Sequence, residues 1–214
     1  MSDDCRAARG VREPAVIDTL PRLKRRGCNL LVTGTVSDAT ANRATRRLLG
    51  APDVERKRIL VRTVDAPPVA ELLPTGVTAD DSSVRVFDYR PTGVACDSFG
   101  SLGGLASAVS SAVDDFASRS TPLVGGELRL SIPSLGSLVA THDIASVERF
   151  LRRTTDAVVG ARGMGHYRYP GPRVDVATLP LDRLFDGFVD LREHARPQQR
   201  LSLPTTPPTE WVDL

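Results

Sequence analysis

Short apolar runs alternate with longer stretches of helical spacing along nearly the whole chain, and this limits the folds open to it. The run "CNLLVTG" from Cys28 carries Leu30, Leu31 and Val32 without polar alternation. Such a strand suits a sheet covered by helices on both faces. "KRILVRTVD" (57–65), "SVRVFDYR" (83–90) and a strand over 127–132 in "GELRLSIPSL" follow it. Between them, Ser37 to Leu49 reads as a helix capped by Ser37 or Asp38 and ended by Gly50. Leu102, Leu105, Val109, Val113 and Phe116 keep helical spacing. So do Ile144, Val147, Phe150, Leu151 and Thr154, behind a cap at Asp143.

The remaining segments are shorter. Val16, Ile17, Leu20 and Leu23 predict a helix that Gly27 ends, with Lys24, Arg25 and Arg26 in its last turn. "PPVAELLP" allows a turn or two of helix, and "LDRLFDG" a short one. "GHYRYP" and "FVDLRE" read as strands, and "QRLSL" as an edge strand. The pattern predicts one α/β domain over 15–203, a doubly wound, mostly parallel sheet between helical layers. A flexible N-terminus (1–14) precedes it. A Pro/Thr-rich tail (204–214) follows, irregular until Trp211 and Leu214 pin its end.

Composition narrows the class. Hydrophobic residues make up 41% and charged residues 25%, as in globular proteins. No run approaches the roughly eighteen apolar residues of a membrane span. "MSDDCRAARG" has no apolar core, so no signal peptide is expected. Cys5, Cys28 and Cys96 lack metal-ligand spacing, and an odd number fits a reducing cytosol. The expectation is a cytoplasmic protein without cofactor or membrane contact. A net charge of +2 is too small to argue nucleic-acid binding by itself. Of 28 basic residues only Lys24 and Lys57 are lysine, which we read as the mark of a GC-rich genome.

A strand, a glycine turn and a helix, as in 28–50, form the setting of a phosphate-binding loop. That loop reads G-x-x-x-x-G-K-[ST]: glycines turn N–H groups inward, the lysine reaches the phosphates and the hydroxyl binds magnesium. Here the segment is "GTVSDATA". Gly34 is present, but Ala39, Thr40 and Ala41 stand at the glycine, lysine and hydroxyl positions. Asp38 adds a negative charge. The helix N-terminus could still take an anion through donors such as Thr35, Ser37 and Thr40. An ordinary strand-to-helix turn also accounts for Gly34, and the sequence favours that account. The strand "LRLSI" leads to Pro133, where a magnesium-positioning acid would stand.

The segments "LPRLKRRGCNLLVTG", "ATRRLLG", "RILVRT", "LRLSIPSLGSLV", "VERFLRRTTDAVVGARGMGHYRYP" and "LDRLFDGFVDLRE" resemble a haloarchaeal family of unknown function. That family is similar to degenerate RecA-like ATPases of the KaiC and RAD fifty-five type. The resemblance covers 15–193. In the active relatives the fourth strand ends hydrophobic-Asp-Ser-Leu, so Ser134 and Leu135 match while Pro133 departs. The resemblance implies a RecA-like (P-loop NTPase-like) core with a lost ATPase, and self-association across the former nucleotide cleft.

Other polar constellations are weaker. His166 and Arg168 share one face of "GHYRYP", opposite Tyr167 and Tyr169, as a polar strand-end site or as a satisfied histidine and a solvated arginine. His142 and His194 show no ligand spacing. Arg43, Arg46 and Arg47 share one helical side and, with Lys24, Arg25 and Arg26, could bind nucleic acid or an acidic partner. Aromatic content of 5% supplies no stacking ladder beside them. Asp114 and Asp115 point about 100° apart and form no acid/base pair. The expected function is non-catalytic: regulation or scaffolding through a protein partner or self-association. Nucleotide sensing without hydrolysis and nucleic-acid binding are the alternatives.

Overall fold

The computed structural model describes residues 21–90, 98–118, 122–177, 179–204 and 206–214. The predicted N-terminal segment (1–14), Val16, Ile17, Leu20, Cys5 and Cys96 lie outside the described residues. The first helix, α1, is described over 21–26, and Gly27 ends it at φ +88°.

Buried runs become strands where predicted: β1 (Cys28–Thr33), β2 (Lys57–Arg62), β3 (Val84–Tyr89), β5 (Leu128–Ile132), β6 (Met164–Arg168) and β7 (Gly187–Glu193). The short β4 (Ser98–Phe99) lies between β3 and β5 in the chain, and β8 (Pro197–Ser202) and β9 (Val212–Asp213) follow β7. The helices are α2 (Asp38–Leu49), α3 (Val69–Leu72), α4 (Leu102–Ala117), α5 (Leu135–Thr141), α6 (Ile144–Gly160) and α7 (Arg173–Ala177), with a 3₁₀ turn at Asp182–Leu184.

The described strands form one sheet in the order β4-β3-β2-β5-β6-β1-β7-β8-β9. Every pairing from β4 to β7 is parallel, and β8 and β9 are added antiparallel. β6 therefore separates β1 from β5. β8 is not an edge, because Gln198 and Gln199 pair with Asp213 and Val212. The tail thus returns to the sheet, and burial of Leu214 pins its end.

Alternate side chains of each strand face opposite layers. Leu31, Ile59, Val61, Leu130 and Tyr167 pack with Val109, Phe116 and Leu151 of α4 and α6. Leu30, Val32, Met164, Val189 and Leu191 pack with Ala44 of α2 on the other face. Both faces are covered, which accounts for the lack of polar alternation in β1. Ser37, Ser101 and Asp143 cap α2, α4 and α6 by accepting from Thr40, Gly104 and Ser146 N–H groups. Helix α5 was not anticipated. It has seven residues, Gly136 in its first turn and no side-chain cap, so its sequence period is weak.

Candidate functional site

The turn after β1 and the start of α2 lie at the carboxyl end of the parallel strands, the end where open α/β sheets hold their ligands. Gly34 adopts φ +133°. A Cβ there would run into the Leu191 carbonyl oxygen. Its N–H donates to the Gly171 carbonyl (2.8 Å). Close approach of two backbones explains this glycine without a ligand.

The N-terminus of α2 is already occupied by an anion. Glu193, the last residue of β7, points its carboxylate at it. Ser37 donates its N–H to Oε2 (2.8 Å) and its hydroxyl to Oε1 (2.6 Å). The Thr40 hydroxyl donates to the same Oε1. The Ser37 hydroxyl also accepts from Thr40 N–H (3.3 Å). These bonds hold the Glu193 carboxyl below the usual carboxylate range, the Ser37 hydroxyl contributing most. The negative charge also opposes the positive end of the helix dipole. Of the residues predicted to hold a nucleotide, Gly34 is packed against β7 and Ser37 and Thr40 donate to Glu193; Thr35 is exposed.

Among the nearby carboxylates, Asp190 faces inward while Asp38 and Asp65 are exposed. Asp190 accepts from the Thr33 hydroxyl (3.0 Å), Arg200 Nε (3.0 Å) and the Ser202 hydroxyl (3.3 Å). At the end of β5, Pro133 is buried. Beyond it Ser134 and Ser137 hydroxyls lie 2.7 Å apart, and Ser137 donates to Asp65 (2.8 Å). Among the described residues no group of three or more His, Cys, Asp or Glu side chains could hold a metal.

Beneath α2 the sheet carries polar side chains. His166 is 3% exposed, so it reaches no surface partner, and its Nε2 has no hydrogen-bond partner among the described residues. Burial, aided by Arg129, pushes its pKa down to about 3, so the ring is neutral. At that atom it meets neither a backbone carbonyl nor solvent. Arg168 is also largely buried and lies 3.9 Å from Asp38. At the other end of α2, buried Arg58 donates to the carbonyls of Leu49, Gly50 and Ala51, and buried Arg129 donates to that of Leu48. These guanidiniums serve the negative end of the helix.

The arginines on the outer side of α2 divide. Arg46 donates to the Glu71 carbonyl and Arg47 to the Asp213 carbonyl (2.7 Å), whereas Arg43 is exposed. Arg26 is paired with Asp186 (2.7 Å). The predicted basic patch is therefore partly spent on contacts within the chain.

Sequence reading missed Glu193. "FVDLRE" shows an acid at a strand end, but which helix it meets depends on β7 lying beside β1.

Fold and site together define an α/β protein with a strand–turn–helix anion site closed by its own carboxylate. Residues 27–191 match the model of a family of unknown function, DUF7504, and the chain belongs to that family. The match runs from the start of β1 and stops just short of Glu193. No curated protein matches the chain. No helix among the described residues is long and apolar enough to cross a membrane.

Proposed function

We propose that the chain is a non-catalytic regulatory or scaffolding protein on a RecA-like core, acting through protein contacts or self-association. The observation that carries this reading is Glu193: a carboxylate holds the Ser37 N–H and the Ser37 and Thr40 hydroxyls, the groups a phosphate would need. Ala39, Thr40, Ala41 and Pro133 supply no cationic clamp and no metal ligand. The RecA-like assignment draws support from the position of β1 with its glycine turn and of the Pro133 end of β5 at the carboxyl end of the sheet, with β6 between.

Calorimetric titration with ATP and GTP, each with magnesium, tests it. No saturable heat and no thermal stabilisation at millimolar nucleotide is the expected result. Saturable binding would overturn the closed-site reading in favour of a nucleotide sensor, and Thr40→Lys with Pro133→Asp would then show whether the catalytic parts alone had gone. Sedimentation equilibrium addresses the positive half by reading self-association directly. The nucleic-acid alternative has less support, since Arg46 and Arg47 are engaged within the chain. Strongly salt-dependent binding to a duplex would revive it.

A further inference from the structure

A cleft of about 370 Å³ opens between the start of α4 and the side of α6 that carries Arg149 and Arg153. It lies at the end of β3, separated from β1 by β2, β5 and β6, and does not depend on the reading of the closed turn. Leu102 and Phe150 are among its apolar lining residues. Tyr89 reaches it from β3, nearly fully buried, with its hydroxyl 2.8 Å from His142 Nε2. Both guanidiniums are exposed, and among the described residues neither has a carboxylate within salt-bridge distance.

We propose that this cleft binds a small organic phosphate, its phosphate on Arg149 and Arg153 and its organic part in the cleft beside the exposed Gly103. A cleft of this size, mostly apolar with a few convergent polar groups, is the form small-ligand sites take. Two guanidiniums one helical turn apart match a dianionic oxyanion better than a single carboxylate. α4 and α6 both return between parallel strands and so run the same way. Arg153 donates to the Ser107 hydroxyl (3.4 Å), so Arg149, one turn earlier, sits beside the first turn of α4.

That turn is receptive as well. It contains no acid, and a Cβ at Gly103 would meet nothing within 4 Å, which leaves the backbone open. Its leading N–H groups lack intrahelical acceptors, and among the described residues a side-chain cap is present for that of Gly104 alone, from Ser101. Here α4 differs from α2, whose N-terminus Glu193 closes. Nearby, Asp143 accepts from Ser146 N–H (2.8 Å) and feels Arg149 weakly.

The test is calorimetry of the full chain at low salt with ribose 5-phosphate, inorganic phosphate and ribose as probes, repeated on Arg149→Gln/Arg153→Gln. Saturable binding of ribose 5-phosphate is expected, weaker binding of inorganic phosphate, and no heat with ribose. The double variant should lose at least about tenfold in affinity, about 1.4 kcal/mol. Both arginines are exposed, so its melting temperature without ligand should match that of the parent chain. Absence of binding by both phosphate probes at millimolar concentration overturns the site. So does unchanged affinity in the double variant. Inorganic phosphate binding as tightly as ribose 5-phosphate overturns the role given to the cleft in holding the organic part.

Discussion

At Gly34 two demands coincide, a backbone at φ +133° and a Leu191 carbonyl where a Cβ would stand. Gly34→Ala should cost roughly 2–4 kcal/mol, from backbone strain and the forced shift of β7. Urea denaturation measures it, and a loss under half a kcal/mol would contradict the close packing. Glu193→Gln keeps the shape but removes the charge facing the α2 N-terminus. It should lower the melting temperature at pH 7, and the difference should shrink as pH falls through the carboxylate range. The sign follows from the depressed Glu193 pKa: its stabilisation is present above the unfolded value and is lost as the folded carboxyl protonates. Equal melting of the two proteins at every pH would remove Glu193 from the account of the turn.

His166 gives a second pH signature. Its pKa is near 6.5 when unfolded and about 3 in the fold, so below pH 6.5 only the unfolded chain takes up the proton. Stability falls as pH drops through that window, until the folded ring itself titrates. Between pH 6.5 and 5 the parent chain should lose about 1.5 kcal/mol more than His166→Gln. Parallel stability curves for the two proteins would show that the ring is hydrated or paired.

At the scale of the element, α2 depends on polar groups at both ends as much as on Ala44 against the sheet. Arg58 reaches three carbonyls beyond the reach of the helix's own N–H groups. Arg58→Met keeps much of the buried stem and leaves those carbonyls without a cation, at a cost of roughly 2–4 kcal/mol in chemical denaturation. The helix itself is readable from the sequence, since the Ser37 cap and Gly50 are local signals. Its supports are not. Within the predicted strand 57–65 Arg58 has no evident partner until β2 is placed below the end of α2, and Glu193 waits on β7 lying next to β1. Local period fixes what a segment becomes; strand order decides which buried charge it meets. Helix α5 escaped for the opposite reason, a period too short to register.

For the whole molecule, the C-terminal return ties the candidate site to the far edge of the sheet. Two guanidiniums lie against the Trp211 ring, Arg192 at 4.1 Å and Arg200 at 4.7 Å from its centroid. Arg200 in turn holds Asp190, which accepts from Thr33 at the end of β1. Asp213 joins the same end by accepting from Gln198 (3.0 Å) and, through its carbonyl, from Arg47 of α2 (2.7 Å). Deleting 209–214 removes β9, the Trp211 stack and the buried Leu214, and exposes β8 as a free edge. Loss of the stacked cations and the apolar contact should cost roughly 2–4 kcal/mol. The unpaired N–H and C=O groups of β8 should also make the shortened chain associate with rising concentration. Urea unfolding read beside light scattering separates the two effects. A shortened chain as stable as the parent, and no more associated, would mean that β9 only rests on the sheet; a loss of stability carried into Glu193→Gln without addition would show that the tail and the closed turn act as one unit.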